Sequence, residues 1–158
     1  MLKTKALEFL GKKDFVSVAT CDLDATPNAA PKFLLKIEDS YIYLVDYVIG
    51  KTCQNIKENP KVSLSFLDTE TLTGYQVNGS VDILDKGNEY KKILDELLEK
   101  KIDLSAKRII EGISTGKTHQ TFELSISERI VVLKVKAQEV VEICPCGELK
   151  REKLGRGD

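Results

Sequence analysis

The sequence predicts a mainly β domain with flanking helices, an α+β chain whose antiparallel strands close into a barrel. Three observations predict it. Several segments alternate apolar and polar residues at period two between clusters of turn residues, and the long run Leu72 to Leu84 carries Gly74 and Gly79 where a closed sheet needs a bend or bulge. One segment, 88–101, switches to a helical period. A length of 158 residues with 42% hydrophobic content suits one domain with a real core.

Ala6, Leu7, Phe9 and Leu10 fall at helical spacing within residues 3–12 and Gly11 closes the run, which predicts a short amphipathic helix capping a sheet. Phe15 to Thr20 alternates as a first strand, 22–28 is turn chemistry, and Ala29 to Ile37 returns as its hairpin partner. After a turn at 38–40, Tyr41 to Tyr47 is a third strand, dense in β-branched and aromatic residues. A short helix follows over 51–58 and is stopped by Asn59-Pro60. Val62, Leu64 and Phe66 then alternate with Ser63 and Ser65 in a fourth strand, and Leu72 to Leu84 forms a fifth.

Tyr90, Ile93, Leu94, Leu97 and Leu98 share one stripe of a helix over 88–101. A separate helical piece is expected over 105–111, with Ala106, Ile109 and Ile110 on one side and a stop at Gly112. Strands are expected over 121–126 and 130–141, joined by a turn at 127–129. Residues 147–158 are charged and glycine-bearing, so the domain is expected to span 1–146 and the rest to be a mobile tail, free or draped on a partner.

A net charge of −1 gives no global field toward nucleic acid or an acidic membrane, so any bound anion must be held locally. The N-terminal residues mix charges into a helical period, and no apolar run approaches a membrane span, which predicts a cytoplasmic protein. The cysteines 21, 53, 144 and 146 are then expected as reduced thiols. Cys144-Pro145-Cys146 lacks the further nearby ligands that a closed zinc site requires, so no metal is expected.

The segment from Asp46 to Val62 is the most informative: strand end, glycine turn, short helix, proline stop, new strand. Gly50 allows close approach of a ligand, Lys51 supplies a cation, Thr52 a hydroxyl, and the first N–H groups of the helix face the same point. Lys51 and Asn55 share a helix face, and Asp46-Tyr47 sets a carboxylate and a phenol beside this phosphate seat. Lys32 follows Ala29-Ala30-Pro31, small residues that admit a ligand; Lys36, four residues on, reads as the charged outer face of the same strand side. Gly112 to Thr118 is one residue short of a P-loop and runs toward a strand, so ATP is not expected there. His119, the single histidine, has no nucleophile elbow near it and reads as a strand-edge residue.

Ala30-Pro31-Lys32, the strand ending Asp46-Tyr47, the block from Gly50-Lys51-Thr52 through Asn55 to Asn59-Pro60-Lys61-Val62, and Gly74-Tyr75-Gln76-Val77-Asn78-Gly79 together resemble the flavin-binding split barrels of the pyridoxamine-phosphate-oxidase-like superfamily. The resemblance implies an antiparallel split β-barrel with FMN at a homodimer interface. It also implies an FMN-dependent oxidoreductase, with NAD(P)H or another reductant as donor. Lys32, Lys51 and Thr52 would hold the phosphate, Asp46 and Tyr47 would lie beside the ring, and Ala30 and Gln76 complete the implied site. Lys32 stands where the true oxidases usually carry arginine, and their C-terminal substrate signature is absent; both departures argue against vitamin B6 oxidation. The alternatives are a non-catalytic flavin-binding or storage module, or the same fold holding a deazaflavin or haem. Haem is disfavoured because His119 and Met1 are the only residues of their kinds.

Overall fold

Turn residues identified in the sequence fall between strands that pair antiparallel throughout the computed structural model, which describes residues 1–115 and 129–155. The order is α1 (Leu2–Leu10), β1 (Phe15–Cys21), β2 (Pro27–Glu38), β3 (Tyr41–Asp46), α2 (Lys51–Glu58), β4 (Lys61–Asp68), β5 (Thr73–Leu84), α3 (Asn88–Thr115), β6 (Val131–Ile143) and β7 (Leu149–Lys153). The sheet runs β3-β2-β1-β4-β5-β6-β7, and β3 also pairs with β6, so the first six strands close a barrel. β6 is long enough to serve two neighbours on one edge: its residues 131–136 pair with β3, and its residues 139–143 with β7.

Closure depends on a bulge between Asn78 and Gly79, where β5 shifts register against β6. A β-carbon on Gly79 would stand 2.1 Å from the Lys136 carbonyl oxygen, so only glycine fits there. Gly74, expected to bend the same strand, lies in regular register and has ordinary room for a β-carbon, so the bend is made at one glycine rather than two.

Two apolar layers result. Inside the barrel, Val18, Leu44, Leu64, Val77 and Val140 are fully buried, and α1 adds Ala6 and Leu10 while α2 adds Cys53 and Ile56. Outside it, Phe33, Leu35, Tyr43, Val45 and Val132 pack beneath Ile93 and Leu97 of α3. β2 feeds both layers by alternation, Leu34 inward and Phe33 and Leu35 outward; a second bulge lies between Leu34 and Lys36, and Lys100 of α3 donates to the carbonyls of Leu34 (2.6 Å) and Leu35 (2.9 Å) there. That bulge also corrects the expectation that Lys32 and Lys36 share a face. After the register shift Lys36 emerges on the α3 side, where it meets Glu96 at 2.9 Å.

Two further expectations are corrected. The helical pieces expected over 88–101 and 105–111 are one helix, α3, because no glycine or proline separates them; Ala106 and Ile110 on its second half are exposed, and Gly112 does not stop it. The segment 147–158, expected as a mobile tail, contributes β7, whose backbone completes the exposed edge of β6. The strand expected over 121–126, most of the turn at 127–129, and His119 lie outside the described residues. Among the described residues no helix is long and apolar enough to cross a membrane.

Candidate functional site

Where β3 ends and α2 begins, the chain leaves a cavity of about 280 Å³ at the barrel edge. From β2 come Asn28, Ala30 and Lys32; from β3 and its exit, Asp46 and Tyr47; from the turn into α2, Gly50, Lys51 and Thr52. Six of the seven residues expected at a ligand site, Ala30, Lys32, Asp46, Tyr47, Lys51 and Thr52, therefore line one cavity. Gln76 does not: it sits on β5 opposite Ser65 and Val141, with its neighbours Tyr75 and Val77 turned into the core.

Asn28, expected in the turn, lines the cavity. β2 already begins at Pro27, and stepping back by two from Lys32 through Ala30 reaches Asn28 on the same strand face. Its amide donates to Thr52 Oγ1 at 3.1 Å and to Thr20 Oγ1 at 3.4 Å. Asn55 Nδ2 donates to the same Thr20 hydroxyl at 3.1 Å, while its Oδ1 is buried without a partner. Thr52, Asn28, Thr20 and Asn55 thus form one polar chain from the cavity wall into the barrel.

The first turn of α2 is ready for an anion. Gly50 is its N-cap, no side chain caps the N–H groups, and no acidic residue occupies the turn. Gly50 has φ −127°, outside the left-handed region, and a β-carbon there would make only ordinary contacts, so within this chain the glycine is not required by close approach. What it contributes is space.

Behind the cavity lies a buried charge pair. Lys32 Nζ is 2.7 Å from Asp46 Oδ1, and Asp46 is 1% exposed. The Val48 N–H donates to the same oxygen at 3.2 Å and the Cys53 thiol to Oδ2 at 3.4 Å, so both carboxylate oxygens have partners. Burial first, then the Asp46 charge, pushes the Cys53 thiol up to about 11. At the mouth, Lys51 Nζ is 2.8 Å from Asp22 Oδ2; this bond raises the lysine's pKa and lowers that of the aspartate. Tyr47 is half-buried with its ring 6.4 Å from that of Phe33, and burial raises its phenol. Val48 and Ile49, beside Tyr47, are 73% and 51% exposed.

The remaining cysteines lie apart from this cavity. Cys144 and Cys146 occupy the β6–β7 turn, where burial and then Glu142 raise the Cys144 thiol, and Cys21 accepts from Asn59 Nδ2 at 3.2 Å. No cluster of three or more metal-ligating side chains occurs among the described residues.

With this geometry in place, comparison with known proteins is informative. A family model described as Pyridoxamine 5'-phosphate oxidase matches residues 2–144. The uncharacterized protein MJ0282 of Methanocaldococcus jannaschii is 33% identical over 89 residues, which cover 54% of this chain and 58% of that protein, less than two thirds of its length. A Clostridium acetobutylicum protein related to general stress protein 26 superposes with a TM-score of 0.65 at 16% identity, covering 98% of this chain and 96% of that one. A pyridoxamine 5'-phosphate oxidase-related, FMN binding protein from Nostoc punctiforme gives 0.54 at 12% identity (90% and 87% covered), and an F420 reductase 0.53 at 17% (84% and 94%). These structural likenesses support the fold alone. Together with a family match spanning nearly the whole barrel, they lead to one conclusion: the chain belongs to the pyridoxamine 5'-phosphate oxidase family and is one of its antiparallel split barrels.

Proposed function

We propose that the cavity at the start of α2 is the phosphate end of an FMN site and that the protein is an FMN-dependent oxidoreductase. The observation that carries this reading is the convergence on one cavity of an uncapped helix turn, the Thr52 hydroxyl, whose oxygen accepts from Asn28 and whose proton is left to give, and the Lys51 ammonium. These are donors for a phosphate, and the first-turn N–H groups have no partner within their helix. Lys32 and Asp46 hold the cavity wall rigid from behind, and Tyr47 with Val48 offers an amphipathic surface for a ring. Bound flavin would supply two-electron redox chemistry, while the chain binds, orients and shields it.

A second copy of the chain would complete the site. Val48 and Ile49 leave apolar side chains exposed beside the cavity, and a ring lying there would be half uncovered in a single subunit. Light scattering at micromolar concentration should give a dimer mass with flavin bound; a monomer that retains flavin overturns this part.

The absorption spectrum of the purified protein, followed by calorimetric titration with FMN and riboflavin, tests the ligand. FMN should bind and riboflavin more weakly. Bleaching of the bound flavin by NADH or NADPH separates a reductase from a storage module. A deazaflavin cofactor is the second reading, supported by the likeness to an F420 reductase; tighter binding of F420 than of FMN would select it.

A further inference from the structure

Both cations of the cavity already have carboxylate partners: Lys32 is held by Asp46 at 2.7 Å and Lys51 by Asp22 at 2.8 Å. No other lysine or arginine among the described residues lines the cavity. Asp22 is fixed in advance of any ligand, because its Oδ1 accepts the Thr26 N–H at 2.8 Å within its own turn and leaves Oδ2 for Lys51. Asp24 and Glu58 also lie near enough to Lys51 to favour its charged form, and Lys57 is the further cation on α2, near Cys53. A phosphate entering this seat therefore meets neutral donors first: the α2 amides and the Thr52 hydroxyl. Its attraction to Lys51 is offset by Asp22, whose carboxylate already partners the ammonium.

We propose that Asp22 competes with the ligand's phosphate for Lys51 and so sets the site's affinity and its preference for ligand charge. This rests on the reading of the cavity as a flavin-phosphate seat and adds to it a specificity-determining residue outside the cavity wall. The Asp22 carboxylate stands in for the phosphate while the seat is open, and a second phosphate charge is rewarded only to the extent that it outbids Asp22. Removing the Asp22 charge should then help a doubly charged phosphomonoester most, a singly charged phosphodiester less, and a neutral alcohol not at all.

The test is calorimetric titration at pH 8 of the full chain and Asp22→Asn with FMN, the monomethyl phosphate ester of FMN, and riboflavin. Asparagine keeps an acceptor for the Thr26 N–H, and Asp22→Ser provides a second short acceptor should the first variant lose its thermal midpoint. FMN should bind about fivefold tighter to the variant, the scale of an exposed ion pair, with a smaller gain for the ester and none for riboflavin. In a Lys51→Ala background the same substitution should have no effect. An unchanged FMN affinity, an equal gain for riboflavin, or a gain that persists without Lys51 would overturn the role of Asp22 while leaving the flavin site standing. Failure of every protein to bind any of the three ligands would overturn the flavin reading itself, and this proposal with it.

Discussion

Asp46 is gripped from two sides: Lys32 of β2 holds one carboxylate oxygen at 2.7 Å and the Cys53 thiol of α2 approaches the other at 3.4 Å. One buried carboxylate thereby ties the strand that floors the cavity to the helix that opens it. The arrangement makes the cavity wall a single polar unit embedded in the barrel, and it has measurable consequences.

Lys32→Met should destabilise the fold by about 3 kcal/mol, because it leaves the buried Asp46 charge without its cation. Adding Asp46→Asn should recover part of the loss. Urea unfolding of both variants checks this, and a single-mutant cost below about 1 kcal/mol would show that the pair is solvated in solution.

Lys51→Ala should weaken FMN binding by roughly tenfold and leave riboflavin binding unchanged, since the proposed seat pairs this lysine with the phosphate. Equal losses for both ligands would place Lys51 elsewhere in the complex.

Cys53 should resist alkylation at pH 8 while Cys146, which is exposed, reacts. Its folded-state pKa, about 11, lies above the ordinary thiol value of 9.0, so the native state holds the proton more tightly than the unfolded chain does. The stability this contributes is present below about pH 9 and lost as pH rises toward 11. The decline in thermal midpoint across that window should be shallower in Cys53→Ala than in the unaltered protein, each compared with its own value at pH 8.

Gly79→Ala should cost about 3 kcal/mol, because the new methyl must displace the Lys136 carbonyl at the β5–β6 bulge. Gly74→Ala, with only ordinary contacts near Ile143, should cost far less. Chemical denaturation of the two variants side by side distinguishes a glycine required by close approach from one that is tolerated. Equal costs would mean that the bulge relaxes.

Much of the architecture was legible because it is written in local periodicity. Alternation in Phe15 to Thr20 and in Val62 to Phe66, the turn residues between strands, and the stripe from Tyr90 to Leu98 each depend on neighbours within a few positions. The cavity was legible for a similar reason, since the stretch from Asp46 to Thr52 is contiguous and carries its chemistry in one turn. Asn28 could have been found by stepping back from Lys32 at period two; the turn chemistry preceding Ala29 hid it.

The rest was decided by contacts between distant segments. A bulge at Leu34–Lys36 is made by pairing with β3 and by Lys100 from α3, and it alone sends Lys36 away from the side of Lys32. β7 exists because the end of β6 presents a free edge, which no pattern in the charged stretch after Gly147 announces. The partners of the two site lysines are likewise remote in sequence, Asp46 for Lys32 and Asp22 for Lys51. By itself, then, the sequence determined the strand and helix periods, the barrel they build, and the residues of the turn at which we propose an anion sits, because those follow from the chain's local geometry. Only the tertiary structure decided which charges that anion must contend with, because charge pairing depends on distance in space, and barrel closure brings together side chains that are tens of residues apart.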